Sequence, residues 1–157
     1  MVKASRIKPF LWFEDQAEDA AKLYTSIFPD SEIVQVVRYP SGSPGPAGKV
    51  MTVAFRLQGQ DFVALNGGPQ FPFTEAVSFV VECADQAEID YYWDRLTSGG
   101  GKPVQCGWLK DRFGLSWQVV PKDIGRYFTD PKTAERVMKA IMPMEKLDIA
   151  QLEDAAR

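Results

Sequence analysis

The chain has 157 residues, of which 45% are hydrophobic and 25% charged, as in ordinary folded globular proteins. This length predicts a single domain spanning residues 1–157 that needs no disulfide or metal to fold. The net charge of -3 at pH 7 argues against a nucleic-acid partner, because phosphate binding requires a basic face. No apolar run approaches the roughly 20 residues that cross a bilayer, and the N-terminus lacks a signal-type segment. We therefore expect a cytoplasmic protein with no membrane partner.

The sequence contains no histidine. Histidine is the usual general base near neutral pH, so its absence excludes Ser-His and Cys-His nucleophilic catalysis. It also removes a principal ligand of zinc. Cys83 and Cys106 lie in unlike contexts without CxxC spacing, which is typical of idle thiols. The alternative is a reactive Cys106 thiolate, for which Lys110 and Arg112 are the nearest cations in the sequence.

The first half of the chain predicts one strand, one helix and three further strands. Residues Ile7–Phe13 form an apolar run of strand length, and an apolar stripe at helical spacing follows Asp15. Phe28-Pro29-Asp30 ends that helix. The remaining strands are predicted over Glu32–Tyr39, Val50–Gln58 and Asp61–Leu65. Between the first two of these lies a Pro/Gly-rich loop, residues 40–48, whose composition forbids regular structure and suits a lid.

The second half again runs strand, helix, then strands. A strand is predicted over Val77–Cys83, followed by a helix that starts at Asp85 and ends before Gly99-Gly100-Gly101. Two hairpin strands are then predicted over Gln105–Lys110 and Leu115–Val120. The tail after Pro121 begins a helix at Thr129-Asp130-Pro131. Its predicted apolar stripe consists of Val137, Met138, Ile141 and Met142. This helix covers either its own sheet or the sheet of a partner.

The tetrapeptide Asp-Gln-Ala-Glu occurs at residues 15–18 and again at 85–88. An Asp with a Glu three residues later is an ordinary capping box, so part of this identity is expected wherever a helix begins. Superimposing the two segments also matches Leu11 with Val81 and Phe13 with Cys83, and places a helix of similar length after each. We interpret the pair as the trace of an internal duplication.

Several ordered motifs carry a family resemblance. They are PFLWF, DQAEDAAKLYTSIFPDSEI, VMTVAF, ALNGGPQF, CGWLKDRFGLSWQVVP and MEKLDIAQLE. Together they resemble the PhnB-like family of the vicinal oxygen chelate superfamily, which includes glyoxalase, bleomycin-resistance and extradiol dioxygenase proteins. Many PhnB-like members carry the label 3-demethylubiquinone 3-methyltransferase. The resemblance implies an α+β fold of two βαβββ modules, about 5–70 and 75–121, that form a cupped mixed sheet. It further implies C-terminal helices in a tail, 122–157, and a homodimer.

The resemblance also implies where metal ligands would lie. Enzymes of the superfamily place one ligand at the start of each module's first strand and one on its last strand. The matching positions here are Lys8, Ala64, Ser78 and Gln118. None is His, Asp or Glu, so we expect neither the usual metal nor another cofactor. The alternative is a carboxylate-only site that uses a residue such as Glu75 or Glu82.

Without a metal, the resemblance leaves an aromatic cup with a few hydrogen-bonding groups. Because side chains alternate along a strand, Phe10 and Trp12 of the first strand point into this cup. Ser116 and Gln118 of the last strand lie on the same cup face. Asn66, Gln105 and Trp108 complete the predicted ligand-binding set. Trp12 fits core filling equally well, and Asn66 fits a turn residue beside Gly67. Such a cup suits a planar or apolar small organic ligand.

The predicted function is small-molecule binding, with no catalytic residue assigned. A metal-dependent isomerase, lyase or dioxygenase is one alternative, and the methyltransferase of the family label is the other. A common S-adenosylmethionine enzyme has glycines at its strand-to-helix turn, whereas the two turns here are Glu14-Asp15 and Ala84-Asp85. The sequence therefore favours binding.

Overall fold

The same order of one strand, one helix and three strands occurs twice in the structure, a computed structural model that describes residues 6–157. The chain divides into two units, the first ending at Phe73 and the second beginning at Thr74. This α+β architecture confirms the predicted fold class, and the two four-stranded sheets fit the predicted duplication. Within residues 6–157 no helix is both long and apolar enough to cross a membrane.

The first unit is one βαβββ module. Its elements are β1 (Phe10–Phe13), α1 (Ala17–Ile27), β2 (Ser31–Arg38), β3 (Val50–Leu57) and β4 (Gln60–Asn66). The sheet order is β1-β4-β3-β2, with β1 parallel to β4 and the other pairs antiparallel. Helix α1 packs on one face through its predicted stripe, in which Ala17, Ala20, Ala21 and Tyr24 are all buried. The opposite face carries the alternate side chains of the same strands.

The second unit repeats the module and adds the tail. Its elements are β5 (Ser78–Cys83), α2 (Gln86–Thr97), β6 (Lys102–Pro103), β7 (Trp108–Lys110) and β8 (Ser116–Pro121), then a 3-10 helix (Ile124–Phe128), α3 (Pro131–Ile141) and α4 (Ile149–Ala156). The sheet order β5-β8-β7-β6 has the same topology as that of the first unit. The short strand β6 was not predicted, because two residues carry no periodicity.

Two predicted strands are shorter than expected. The first begins at Phe10 rather than Ile7, after Pro9, which has no N–H to donate to a ladder. The predicted strand from Gln105 begins at Trp108 instead. Ahead of it, the N–H groups of Cys106 and Gly107 donate to the carbonyls of Met144 and Glu145 in the tail.

The tail packs on its own unit. Its helices and the end of β8 bury one apolar cluster, comprising Val120, Tyr127, Val137, Ile141, Met144, Leu147 and Leu152. The predicted four-residue stripe on α3 was too wide, because Met138 and Met142 are 46% and 53% exposed. Of these four residues, only Val137 and Ile141, one turn apart, belong to the cluster.

The two identical tetrapeptides begin their helices differently. Asp85 caps α2 in the predicted way, since its side chain accepts from the N–H of Glu88 at 2.9 Å. Helix α1 starts one position later in the repeat, at Ala17, and its cap residue Gln16 makes no side-chain capping bond. The prediction that Asp15 caps this helix was therefore wrong.

Asn66 supplies the missing cap from the end of β4. Its side-chain oxygen accepts from the N–H of Ala17 at 2.8 Å, and its amide NH₂ donates to the carbonyl of Val50 at 3.1 Å. In the sheet ladders Asn66 pairs with Phe13, whereas Pro121 pairs with Cys83. Proline has no side-chain acceptor, so the second module must cap its helix locally.

Candidate functional site

A cavity of ≈ 880 Å³ opens in the first unit, at the end of the sheet where β1 and β4 finish. The first turn of α1, the ends of β2 and β4 and the loop before β3 surround it. Its lining consists of Trp12, Glu14, Asp15, Glu18, Asp19, Arg38, Tyr39, Pro44, Gly45, Pro46, Lys49, Val50, Leu65, Asn66, Gly67, Gly68 and Gln70. The volume lies within the range of small-molecule sites.

Trp12 is held rigidly in the cavity wall. Its indole N–H donates to the carbonyl of Gly68 at 2.9 Å, and Phe71 meets its ring edge-on with centroids 4.9 Å apart. Gly67 lies so close that an added Cβ would come within 2.3 Å of the indole. The glycine that follows Asn66 therefore lets the chain pass over the Trp12 ring.

Tyr39 connects the Pro/Gly-rich loop to this wall. Its hydroxyl donates to the backbone carbonyl of Asn66, and its backbone pairs with Gly48 and Lys49 across the loop. A Cβ on Gly45 would lie 2.2 Å from the Tyr39 ring, so the loop folds back closely over that aromatic face. The loop predicted as a lid thus forms part of the cavity wall.

The charges of the lining separate into two groups. Glu14, Asp15, Glu18 and Asp19 lie on the α1 side, and Arg38 and Lys49 lie on the loop side. Glu18 makes a long contact of 3.9 Å with Lys22, and the Arg38 guanidinium donates to the carbonyl of Gly48 at 3.1 Å. The cavity is more polar than the aromatic cup that the sequence predicts.

Only two of the predicted ligand-binding residues line this cavity, Trp12 and Asn66. The side chain of Asn66 is engaged with backbone on both sides, so its observed contacts are those of a helix cap rather than a turn. Phe10 lies two residues before Trp12 on the same sheet face and is 59% exposed. Sequence patterns did not identify Tyr39 or the carboxylates of the first repeat, Asp15 and Glu18, as lining residues. Tyr39 lines the cavity because of the conformation of the loop, and Asp15 because Asn66 caps α1 in its place. Neither feature produces a periodic pattern in the sequence.

The other predicted residues belong to the second unit. Trp108 and Gln118 are direct partners between β7 and β8, and Gln118 donates to the Ser78 hydroxyl at 2.9 Å. Ser116 lies two residues from Gln118 on the same strand and is buried. Gln105 is exposed in the turn before β7, where its carbonyl accepts from the N–H of Trp108.

The donors at the superfamily's ligand positions do not fit the usual metal. Since Phe10 pairs with Val63 and its counterpart Val80 pairs with Gln118, the counterpart of Gln118 is Val63 rather than Ala64. The four positions are then Lys8, Val63, Ser78 and Gln118, which offer neither imidazole nor carboxylate. Residues 6–157 contain no cluster of three His, Cys, Asp or Glu side chains suited to a metal ion. Of the proposed carboxylate ligands, Glu75 pairs with Lys110 instead, which lowers the pKa of Glu75.

Neither thiol is placed for nucleophilic chemistry. Burial raises the pKa of Cys83 to about 12, helped by the nearby charges of Glu88 and Asp85. Cys106 is partly exposed and its sulfur lies 4.0 Å from that of Met142. The two cations considered for it bond elsewhere: Lys110 to Glu75, and Arg112 to the Ser98 hydroxyl.

Comparison with known proteins identifies relatives of most of the chain. The model of the family described as 3-demethylubiquinone-9 3-methyltransferase matches residues 5–120. A PhnB protein from Bacillus cereus, which carries the same methyltransferase description, is 36% identical with a TM-score of 0.68. That match covers 74% of this chain and 99% of the Bacillus cereus chain. No curated protein matches the sequence.

Two more distant structures support the fold alone. Protein PA1353 from Pseudomonas aeruginosa is 21% identical with a TM-score of 0.62, over 75% of this chain and 98% of that chain. The fosfomycin resistance protein FosX from Mesorhizobium loti is 12% identical with a TM-score of 0.58, over 82% and 99%. The family match ends at residue 120, so the helices of the tail lie outside it.

Proposed function

Because this chain belongs to the 3-demethylubiquinone-9 3-methyltransferase (PhnB-like) family of the vicinal oxygen chelate superfamily, we propose that it binds a small organic molecule without the superfamily's metal. The observation that carries the proposal is the ≈ 880 Å³ cavity of the first unit. In this cavity the Trp12 indole, which is held by a hydrogen bond and a ring contact, lies beside charged side chains that are not part of the hydrophobic core. The ligand-position residues, which lack imidazole and carboxylate, support the metal-free part.

The lining selects the chemical class of the ligand. Trp12 and Tyr39 offer apolar surface to a ring or chain, while the α1 carboxylates favour a cationic group. Arg38 and Lys49 on the loop side favour an anionic group. A small molecule with an apolar body and both charges, such as an aromatic amino acid, satisfies all three surfaces.

The experiment is a search for copurified and added ligands. Native mass spectrometry of the untagged protein tests for a retained organic molecule, and a thermal-shift screen of amino acids and amines tests added ones. We expect one ligand per chain and loss of binding in Trp12→Leu. The matched control, Tyr91→Leu, removes an exposed aromatic ring from α2 of the second unit and leaves binding unchanged. Equal loss in both variants, or no ligand in either search, would refute the proposal.

Methyltransferase activity is the second candidate, favoured by the description that the family carries. It requires saturable binding of S-adenosylmethionine, which calorimetry measures directly. Neither strand-to-helix turn, Glu14-Asp15 or Ala84-Asp85, contains the glycine that lets a cofactor approach the backbone. We therefore expect no binding, and saturation at one cofactor per chain would replace our proposal with the methyltransferase.

Metal-dependent isomerase, lyase or dioxygenase chemistry is distinguished by metal content. Elemental mass spectrometry is applied to protein that has been offered metal salts and then desalted. We expect no stoichiometric transition metal. Retention of one metal per chain would redirect the search to substrates of those enzymes.

We also propose a cytoplasmic homodimer as the working assembly, in line with the family resemblance. Sedimentation equilibrium of the full chain tests the assembly. A mass of one chain at every concentration would exclude the dimer.

A further inference from the structure

The hydroxyl of Ser116 is buried without a hydrogen-bond partner. Ser116 is 1% exposed, and its Oγ is the one fully buried side-chain nitrogen or oxygen in residues 6–157 that bonds to nothing. Buried polar groups in native proteins are nearly always satisfied, because each orphan costs about 1–3 kcal/mol. An unpaired hydroxyl at this position therefore calls for a functional explanation.

Ser116 belongs to a row of polar side chains across three adjacent strands. It is the direct partner of Ser78 on β5 and of Lys110 on β7. Its neighbours Leu115 and Trp117 are also buried, and the Trp117 indole donates to Asp111 at 2.9 Å. Because side chains alternate along a strand, Ser116 projects from the sheet face opposite to Trp117. The row presents two hydroxyls and one ammonium group on that face.

The next row of the same face adds an amide and an indole. Gln118 lies between Val80 and Trp108, and its NH₂ already donates to the Ser78 hydroxyl. That bond leaves the Ser78 proton free to point toward a ligand. The two ladder partners of Ser116, Ser78 and Lys110, both carry hydrogen-bond donors.

The first unit shows what the equivalent row holds. Since Val63 corresponds to Gln118, Asp61 two residues earlier corresponds to Ser116. Arg56, which pairs with Asp61 in the sheet, then corresponds to Lys110, which pairs with Ser116. There the Arg56 guanidinium donates to the Asp61 carboxylate at 2.7 Å, and Asp61 is 8% exposed. One module thus places a carboxylate beside the cation, and the other places a bare hydroxyl there.

Lys110 obtains a carboxylate from a different source. It pairs with Glu75, whose side chain is 56% exposed in the segment that precedes β5. An exposed ion pair of this kind contributes little and exchanges readily with another anion. A ligand carboxylate that replaces Glu75 at Lys110 would lie beside Ser116, which is the direct partner of Lys110 on β8.

We propose that Ser78, Ser116 and Lys110 form a binding site for the carboxylate of a small organic acid, in the position that Asp61 fills in the first unit. Trp108 and Val80, in the adjacent row, supply apolar surface for the body of that acid. The site involves no covalent step. It is independent of the first-unit cavity, so either proposal can fail without the other.

The test uses benzoate as the probe and neutral benzamide as its uncharged match, with the full chain. Titration is followed by calorimetry and by the backbone amide signals of Lys110 and Ser116 in nuclear magnetic resonance spectra. We expect saturable benzoate binding and none by benzamide. Lys110→Met should weaken binding at least about tenfold, because it removes a charge-assisted bond. The control Lys132→Met, on exposed α3, should change nothing.

Three further variants separate the site from a general charge effect. Glu75→Gln removes the competing carboxylate and should tighten benzoate binding by about twofold to fivefold. Ser116→Ala should weaken it about fivefold or more without loss of folding, since the removed hydroxyl has no partner in the free protein. Ser116→Asp recreates the arrangement of the first unit and should abolish binding.

The proposal is overturned if benzoate fails to bind, or if Ser116→Ala and Lys110→Met bind it as the unaltered protein does. It is also overturned if Trp12→Leu removes benzoate binding while the second-unit variants keep it. That last result would place the acid in the first-unit cavity instead.

Discussion

Replacing Asn66 by alanine should unfold the start of α1 and weaken the wall of the cavity. The change removes the cap of Ala17, worth about 1 kcal/mol, and leaves the carbonyl of Val50 without its donor, for about 1 kcal/mol more. The expected loss is about 2 kcal/mol. For a chain of this size, this corresponds to a fall of roughly 4–8 °C in Tm.

The matched control is Asp85→Ala in the second repeat. Asp85 caps α2 through a single bond to the N–H of Glu88, so we expect about half the loss, near 1 kcal/mol. Urea unfolding measures both free energies. Hydrogen exchange locates the effect, since the Ala17 amide should exchange faster in Asn66→Ala only.

Asn66→Asp separates the two bonds of the amide. A carboxylate still accepts from the N–H of Ala17 but cannot donate to Val50. The Ala17 amide should therefore remain protected although stability falls. If Asn66→Ala proves no more harmful than Asp85→Ala, or if the Ala17 amide is unprotected in the unaltered protein, the cap from β4 is refuted.

Three other outcomes are expected of the second unit. Asp111→Ala should lower the free energy of unfolding in urea by about 3 kcal/mol or more. The reason is that the one buried carboxylate accepts from two backbone N–H groups and from the Trp117 indole. A loss under about 1 kcal/mol would contradict this. A thiol reagent at mildly alkaline pH should modify Cys106 but not Cys83 until the protein unfolds. The reason is that burial raises the pKa of Cys83 to about 12. Rapid reaction of both thiols would show that Cys83 is accessible. Hydrogen bonds from Thr133 lower the pKa of Asp130, which caps α3. The stability that this cap contributes is therefore complete above the unfolded pKa near 4 and is lost as the pH falls through the folded pKa. In a pH series of urea unfolding, Asp130→Asn should reduce this acid-side loss of stability, and an unchanged pH dependence would contradict the cap's role.

Periodicity was sufficient to predict the elements of both modules except the two-residue strand β6. The buried stripes of α1 and α2 and the alternation along β8 lie within single elements, so each can be read from neighbouring residues. The cavity could not be predicted in the same way. The bond from Asn66 to Ala17 joins positions 49 residues apart, and its existence depends on the register between β1 and β4.

A single ambiguous step in register also explains the misassigned position on the last strand. Choosing Ala64 as the counterpart of Gln118 assigns this ligand position to the wrong sheet face, because adjacent residues of a strand point in opposite directions. Ala64 is fully buried on the α1 side, whereas Val63 shares the open face with Phe10. Only the paired strands resolve the choice.

Two pairs of equivalent positions distinguish the modules, one at the ends of β4 and β8 and one within these strands. Where the second module has Pro121, the first has Asn66, which takes over the cap of α1 and leaves Asp15 free to line the cavity. Where the first module has Asp61, the second has Ser116, which leaves Lys110 to pair with an exposed carboxylate. Each difference is compatible with the fold, because the two sheets have the same strand order and directions, but it changes the charge presented on the sheet. The two modules thereby give one chain two chemically distinct surfaces, an acidic cavity wall and a donor-rich strand row.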